Sequence, residues 1–527
     1  MFEAEADWEH KDSDAAFLSL ILEHPRSYSA CAIKSHSRKG GAMSSRPEHR
    51  SQRAEKPPVT LAIHPDSLEQ RPTSPIAELF IGVFRRDLLA FFPYARFEPV
   101  ADVAVRSDDS DGPYFRLLDG RNADSIEVEL FGARFRLSGR EGLRFTPRDL
   151  RMVGAIGAVL NMRYHHMFQI SSSARLELYR GGSEDHYVAA FIEPDAYAPT
   201  ATRPSRIAAT IQTMRTAALS TYENRRVSTG ALLLGFLADP IHPRTLTSPD
   251  ALPYGVELTG LKSVHRLCDG TRTLFLVDRE GKLAEIIDIK RWAAEMFSAS
   301  GPDVPCARTY AAHARATRTG GHVCLVLSPN QEIKLFAGGV QAFAFVHGRW
   351  RILDPSTHFA IWSAAVADGA LARVLFQTAL DLAEGRQGGL FVVVNDPCAA
   401  VGNLIAPNDL LATDVPCGPP PELAHRDPLA KRALHYLARG RSVTGFDPAV
   451  LEALASVDGA LVTDPTGRLI AFGAILRHDA ADLPNLTAAE GARTTAAMAA
   501  SHFGPVLKVS EDGLVSCFLN GNLVWDL

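Results

Sequence analysis

The chain has 527 residues, a net charge of −5, and 46% hydrophobic against 22% charged residues. At roughly 100 to 200 residues per domain this length asks for about three domains, and the composition excludes wholesale disorder, collagen-like repeats and coiled coil. No global positive field exists to hold a phosphate backbone, so nucleic acid is not the expected partner.

Residues 1–60 read as a disordered tail: a short apolar patch at 15–22 precedes a polar, basic stretch at 34–56 with too little apolar surface to fold. No later segment of the chain needs the residues before Met43, which makes Met43 an alternative start. The first residues include Glu3, Glu5 and Asp7 instead of a basic leader, and no run reaches the ~18 apolar residues of a membrane helix. Seven cysteines (Cys31, Cys268, Cys306, Cys324, Cys398, Cys417 and Cys517) contain no CxxC pair, which argues against a disulfide framework and a thiolate zinc site. They read as reduced thiols of a cytoplasmic protein with no membrane partner.

Residues 61–200 read as a small α/β domain. The spacing predicts a helix over 76–92, a hairpin over 124–137, and a helix through Met167 capped by Thr146-Pro147-Arg148-Asp149. Strands are expected at 174–179 and 186–192. His165 and His166, adjacent on a helix, point about 100° apart and suit the helix C-terminal dipole better than a metal. Residues 194–204, with Pro194, Pro199 and Pro204, read as a linker.

An internal repeat occupies the rest. Ala307-Arg308-Thr309-Tyr310-Ala311-Ala312 recurs as Ala492-Arg493-Thr494-Thr495-Ala496-Ala497, each leading through an alanine-rich helix to an apolar strand that ends at Ser328 or Ser510. From those serines Ile333 and Val515 lie at +5, Phe336 and Phe518 at +8, and Gly339 and Gly521 at +11. Upstream, Asp278-Arg279-Glu280-Gly281 matches Asp464-Pro465-Thr466-Gly467 as hairpin turns, Asp269-Gly270 matches Asp458-Gly459, and the strand led by Gly230 matches that led by Gly389. Two tandem α/β copies with mixed sheets are expected, at 205–350 and 366–527, the second carrying an insert at 403–450 with a helix at 428–437. Asp354-Pro355-Ser356-Thr357-His358, between them, reads as a turn and not as a catalytic Ser-His pair. GxSxG, Walker A and HExxH motifs are absent.

Gly389-Leu390, Asp458-Gly459-Ala460-Leu461-Val462, Gly491-Ala492-Arg493-Thr494-Thr495-Ala496-Ala497 and Val509-Ser510-Glu511-Asp512 occur in the order of motifs in the diadenylate cyclase domain, which this third of the chain resembles. The resemblance implies a nucleotide site at Asp458, Gly459, Ala460, Gly491, Arg493, Thr494 and Thr495. In an active enzyme, Asp458 would be the catalytic carboxylate and, with Glu511, would hold magnesium or manganese. The run Thr487-Ala488-Ala489-Glu490 reads as a capping box that places Arg493 in the opening turns of its helix, where anions are favoured.

The family's Arg-His-Arg is here Arg493-Thr494-Thr495. Losing two cationic donors at ~3 kcal/mol each should remove turnover before binding. The first copy departs further, with Asp269-Gly270-Thr271, Arg308-Thr309-Tyr310 and Ser328-Pro329. The chain therefore resembles the degenerate, DACNV-like sensor branch of the superfamily: a non-catalytic domain binding ATP or a cyclic dinucleotide for bacterial signalling or defence. The residues also leave open an active divergent cyclase, borrowing cations from Arg477 or Lys508, and a ligand-free scaffold in which Asp458 merely caps a strand and Arg493 is a solvated helix arginine. The family implies a face-to-face intramolecular pseudo-dimer of the copies. The residues do not identify the downstream effector.

Overall fold

A strand buried along its whole length needs cover on both faces, and the central strand of each repeat is of this kind: β5 (Thr229–Leu233) and β12 (Gly389–Val393) expose none of their residues. The computed structural model describes residues 75–100, 114–119, 124–139, 145–168, 176–198, 201, 203–235, 251–261, 264–295, 303–411, 431–477 and 491–527. The expected tail and the 487–490 capping box lie outside these residues.

The N-terminal part holds α1 (Pro75–Phe91), an antiparallel sheet of β1 (Arg96–Pro99), β2 (Phe115–Asp119), β3 (Ser125–Leu130) and β4 (Ala133–Ser138) in the order β1-β4-β3-β2, then α2 (Pro147–Phe168) and α3 (Ser183–Ile192). The expected cap is present, with Asp149 accepting from the Thr146 N–H at 2.7 Å and its hydroxyl at 2.8 Å. Neither strand expected at 174–179 and 186–192 forms: Leu176–Tyr179 is a 3-10 turn and the second segment is α3. Residues 185–191 are all buried, and a short run buried on every side has no period to separate strand from helix. The linker expectation is also amended, since Pro194–Tyr197 is a 3-10 turn whose buried Tyr197 meets His186 at 2.8 Å.

The first repeat continues through α4 (Arg206–Ala218), β5, β6 (Thr273–Val277), β7 (Leu283–Asp288), α5 (Ile289–Glu295), α6 (Ala311–Ala316), β8 (Val323–Leu327), β9 (Ile333–Ala337), β10 (Val340–Val346) and β11 (Arg349–Ile352). The second comprises α7 (Pro355–Val366), α8 (Gly369–Glu384), β12, α9 (Pro448–Ala455), β13 (Ala460–Thr463), β14 (Leu469–Ala474), α10 (Ala492–Ala500), β15 (Val506–Val509), β16 (Val515–Leu519) and β17 (Asn522–Asp526). The sheets run β11-β10-β9-β8-β5-β6-β7 and β14-β13-β12-β15-β16-β17, which is one order twice, with β11 added to the first. In each, the central strand is parallel to one neighbour and antiparallel to the other. The fold is mixed α/β.

Alternation along the strands assigns the faces. In the first sheet Leu233, Phe275 and Leu325 join the core that includes α4 and the N-terminal part, while Leu232, Leu274 and Val326 pack with α5 and α6. In the second, Phe391, Leu461 and Leu507 meet α7, α8 and α9, and Leu390, Val462 and Val506 meet α10.

The turns repeat in detail. The Asp278 carboxylate accepts from the N–H groups of Glu280 and Lys282, as that of Asp464 does from Thr466 and Arg468. Gly339 and Gly521 take the left-handed hairpin position at φ +82° and +77°. One register is corrected: Thr229 lies opposite Leu327 as Gly389 lies opposite Val509, so Thr229 and not Gly230 is the counterpart of Gly389.

Three other expectations change. Asp354 to His358 opens α7, with Asp354 as N-cap accepting from the Thr357 N–H at 3.2 Å, and His358 stacks on Trp525. The described part of the helix expected at 428–437, Lys431–Leu437, is a 3-10 helix and not an α-helix; its exposed Leu434, Tyr436 and Leu437 supply no apolar stripe to sustain one. Cys398 is disulfide-bonded, whereas Cys268, Cys306, Cys324 and Cys517 are free and buried; spacing along the chain does not report approach in space. Among the described residues no helix is long and apolar enough to cross a membrane.

The copies meet through unlike faces. On α8, Arg373, Gln377, Asp381 and Glu384 form a stripe at helical spacing that bonds the first copy: Arg373 to the Asp303 carbonyl at 2.7 Å, Gln377 to the Cys306 carbonyl, Asp381 to Arg308, and Glu384 to the Tyr310 hydroxyl at 3.1 Å and Lys334 at 2.7 Å. The segment leading into α6 is thus docked on the opposite side of the next copy. This arrangement is head to tail and corrects the face-to-face expectation.

Candidate functional site

The open end of the second copy is built by two close backbone approaches. Gly459 holds φ +113°, and a Cβ there would lie 2.3 Å from the carbonyl carbon of Gly473, so only glycine lets the Asp458-Gly459-Ala460 turn press against β14. Ala460 turns into the core, and the Asp458 side chain is left 97% exposed. The second approach is at Gly388, where a Cβ would meet Nη1 of Arg493 at 2.1 Å; the bare glycine gives the guanidinium its berth.

Arg493 is the second residue of α10, whose N-cap is Gly491 with no side-chain cap, and Thr494 and Thr495 donate their N–H groups to the Gly491 carbonyl at 2.9 and 3.3 Å. The Arg493 guanidinium donates to Glu511 at 3.0 Å and lies 3.6 Å from Asp458, so the fold brings three of the expected site residues together. Lys508 donates to the Thr494 hydroxyl at 3.1 Å and stands beside the site. Arg477 is tied elsewhere, to the Gly402 carbonyl at 3.1 Å. Sequence reasoning missed Gly388; its signal was the Gly388-Gly389 pair between the end of α8 and β12.

The corresponding end of the first copy is spent on its own structure. The Asp269 carboxylate accepts from the N–H groups of Thr271, Arg272 and Thr273 and from the Arg272 guanidinium. Burial alone would raise its pKa, but these donors outweigh burial and hold it well below the usual carboxylate range. Arg308 opens the 3-10 turn before α6 as Arg493 opens α10, yet its N–H and Nε both donate to Asp381, at 2.7 and 2.6 Å, and its other arm pairs with Glu452. Two carboxylates of the second copy fill the place. Beneath them His313, fully buried, meets the Gly270 carbonyl at 2.9 Å, and burial pushes its pKa down to about 4.

Among the described residues no group of three or more His, Cys, Asp and Glu is placed to hold a metal ion. Asp458 and Glu511 share a guanidinium instead of converging on a common point.

No family model and no curated protein matches the chain. Among solved structures it is similar to DacA from Staphylococcus aureus, with 18% identity over 29% of this chain and 83% of that one and a TM-score of 0.20. It is also similar to a hypothetical membrane-spanning protein from Bacillus cereus, with 19% identity over 28% of this chain and a TM-score of 0.20, and spans 60% of that protein's length. Neither similarity assigns this chain an activity.

Proposed function

We propose that the chain is a nucleotide-binding sensor whose ligand, of the ATP or cyclic dinucleotide class, sits in the second copy at Asp458, Gly459, Ala460, Gly491, Arg493, Thr494 and Thr495 and is not turned over. The observation that carries this reading is the contrast between the carboxylates of the two copies: Arg493 and Arg308 are similarly exposed, but Arg493 pairs with Asp458 and Glu511 of its own copy, 97% and 72% exposed, whereas Arg308 is held by Asp381 and Glu452 of the next copy, 8% and 30% exposed. A phosphate arriving at α10 gains a guanidinium and the N-terminal end of a nine-residue helix, with Lys508 beside it. The cations that would neutralise a developing transition-state charge are absent at Thr494 and Thr495.

A second reading, residual diadenylate cyclase activity, draws on the nearness of Asp458 and Glu511 to one guanidinium. Magnesium or manganese would bind there only after Arg493 moved off both carboxylates. The test is a thermal-shift screen of nucleotides together with chromatography of an ATP and metal incubation. Arg493→Ala is expected to weaken ATP binding by ~1.5 to 3 kcal/mol. A cyclic dinucleotide product abolished by Asp458→Asn establishes the enzyme instead, and no shift with any nucleotide leaves the scaffold.

A further inference from the structure

The end of α8 carries an arginine where the backbone calls for glycine. Gln387 donates its N–H to the Leu382 carbonyl at 2.9 Å and Arg386 to that of Ala383 at 3.2 Å, the hydrogen bonds of a left-handed helix stop, and Arg386 holds φ +55°. Glycine takes such a position without strain; an arginine kept there implies that its side chain is wanted. The Arg386 guanidinium donates to the carbonyl of Asp512 and pairs with Glu332 of the first copy.

Both contacts lead somewhere. Asp512 lies in the tight turn that Gly513 closes on the Ser510 carbonyl at 2.9 Å, and the preceding residue, Glu511, is the one that Arg493 grips at 3.0 Å. Glu332 pairs with Lys334 at 3.1 Å, Lys334 with Glu384 at 2.7 Å, and Glu384 accepts from Tyr310. Glu332 and Lys334 are only 7% and 5% exposed, so this cluster is a buried charged joint between the copies. A continuous set of contacts therefore runs from the open end of the second copy, through one turn and one arginine, to the joint.

We infer that the 510–513 turn and Arg386 form a relay: when Arg493 releases Glu511, the turn shifts, Arg386 loses its hold on Glu332, and the joint between the copies loosens. The identity of the trigger rests on the nucleotide reading above; the relay does not. Because the Arg493–Glu511 pair is exposed, the coupling it transmits is modest, about two- to fivefold.

The test is hydrogen–deuterium exchange of the full chain, read at the amides of residues 333–337 and 305–310. Arg493→Ala frees Glu511 without any ligand and should raise exchange there about two- to fivefold. Arg386→Gly keeps the left-handed turn while removing the guanidinium; exchange should already be raised in this variant and unchanged by adding Arg493→Ala, and by reciprocity ATP should bind it more tightly than the parent by up to the same two- to fivefold factor. If Arg493→Ala leaves exchange flat, or raises it equally in the Arg386→Gly background, the relay is overturned. ATP added to the parent should reproduce the rise, and ATP that binds without it overturns the relay as well. If ATP does not bind, the nucleotide reading fails, and the Arg493→Ala comparison still decides the relay.

Discussion

Gly459 and His313 are the residues at which a single substitution reads the site and the core separately. Any side chain at Gly459 meets the backbone of Gly473 and must also adopt φ +113°, so Gly459→Ala should cost at least ~2 kcal/mol and lower the melting temperature. Unchanged melting would show that the approach to β14 is not required. His313 answers to pH. Burial lowers it to about 4 in the folded chain, against about 6.5 unfolded, so the unfolded state binds the extra proton between those values. Its contribution is fully present above pH ~6.5 and is lost as pH falls toward ~4, about 3 kcal/mol in all. His313→Gln, which can keep the bond to Gly270, should flatten the acid limb of a melting temperature against pH profile. The limb should be reduced but not erased, because His358 is pushed down to about 4 by burial as well. A profile identical to the parent's would show that His313 is not buried neutral.

The stripe on α8 is the element that fixes one copy against the next. Arg308→Ala would leave Asp381, its side chain only 8% exposed, without a cation, and should destabilise by about 2 kcal/mol, less than a fully enclosed pair because the guanidinium is 37% exposed. Asp381→Asn, which stays neutral and can still bond the Arg308 N–H, should cost less. Limited proteolysis near residues 303–310 and melting together check both, and equal effects would argue against the buried charge as the cause. These elements also mark what was legible beforehand. Strands and hairpin turns were readable because their signals are local: the Asp278 and Asp464 turns and the glycines at 339 and 521 fix their own geometry. The grouping of Asp458, Arg493 and Glu511 was expected only from the resemblance to the cyclase domain's motifs, since nothing local in the sequence brings them together. The helix α3 was misread because burial on all sides erases periodicity, and Gly388 was missed because its need arises from an arginine 105 positions away. The α8 stripe was invisible for a related reason, since Arg373, Gln377, Asp381 and Glu384 read as a solvated helix face until a partner surface is placed on them.

At the scale of the whole molecule, the direction of stacking sets how many ligands the chain can hold. Two copies meeting face to face would present equivalent openings and bind nucleotide symmetrically. Head to tail, the two openings differ in kind: that of the first copy is docked on α8 and α9 of the second, while that of the second stands open among the described residues. On the nucleotide reading proposed above, one site per chain is expected. Calorimetry with ATP should give a stoichiometry of one, with affinity weakened by ~1.5 to 3 kcal/mol in Arg493→Ala and retained in Arg308→Ala, because the second variant disturbs only the filled opening. A stoichiometry of two, or loss of binding in Arg308→Ala with Arg493→Ala unaffected, would transfer the site to the first copy and reverse the assignment.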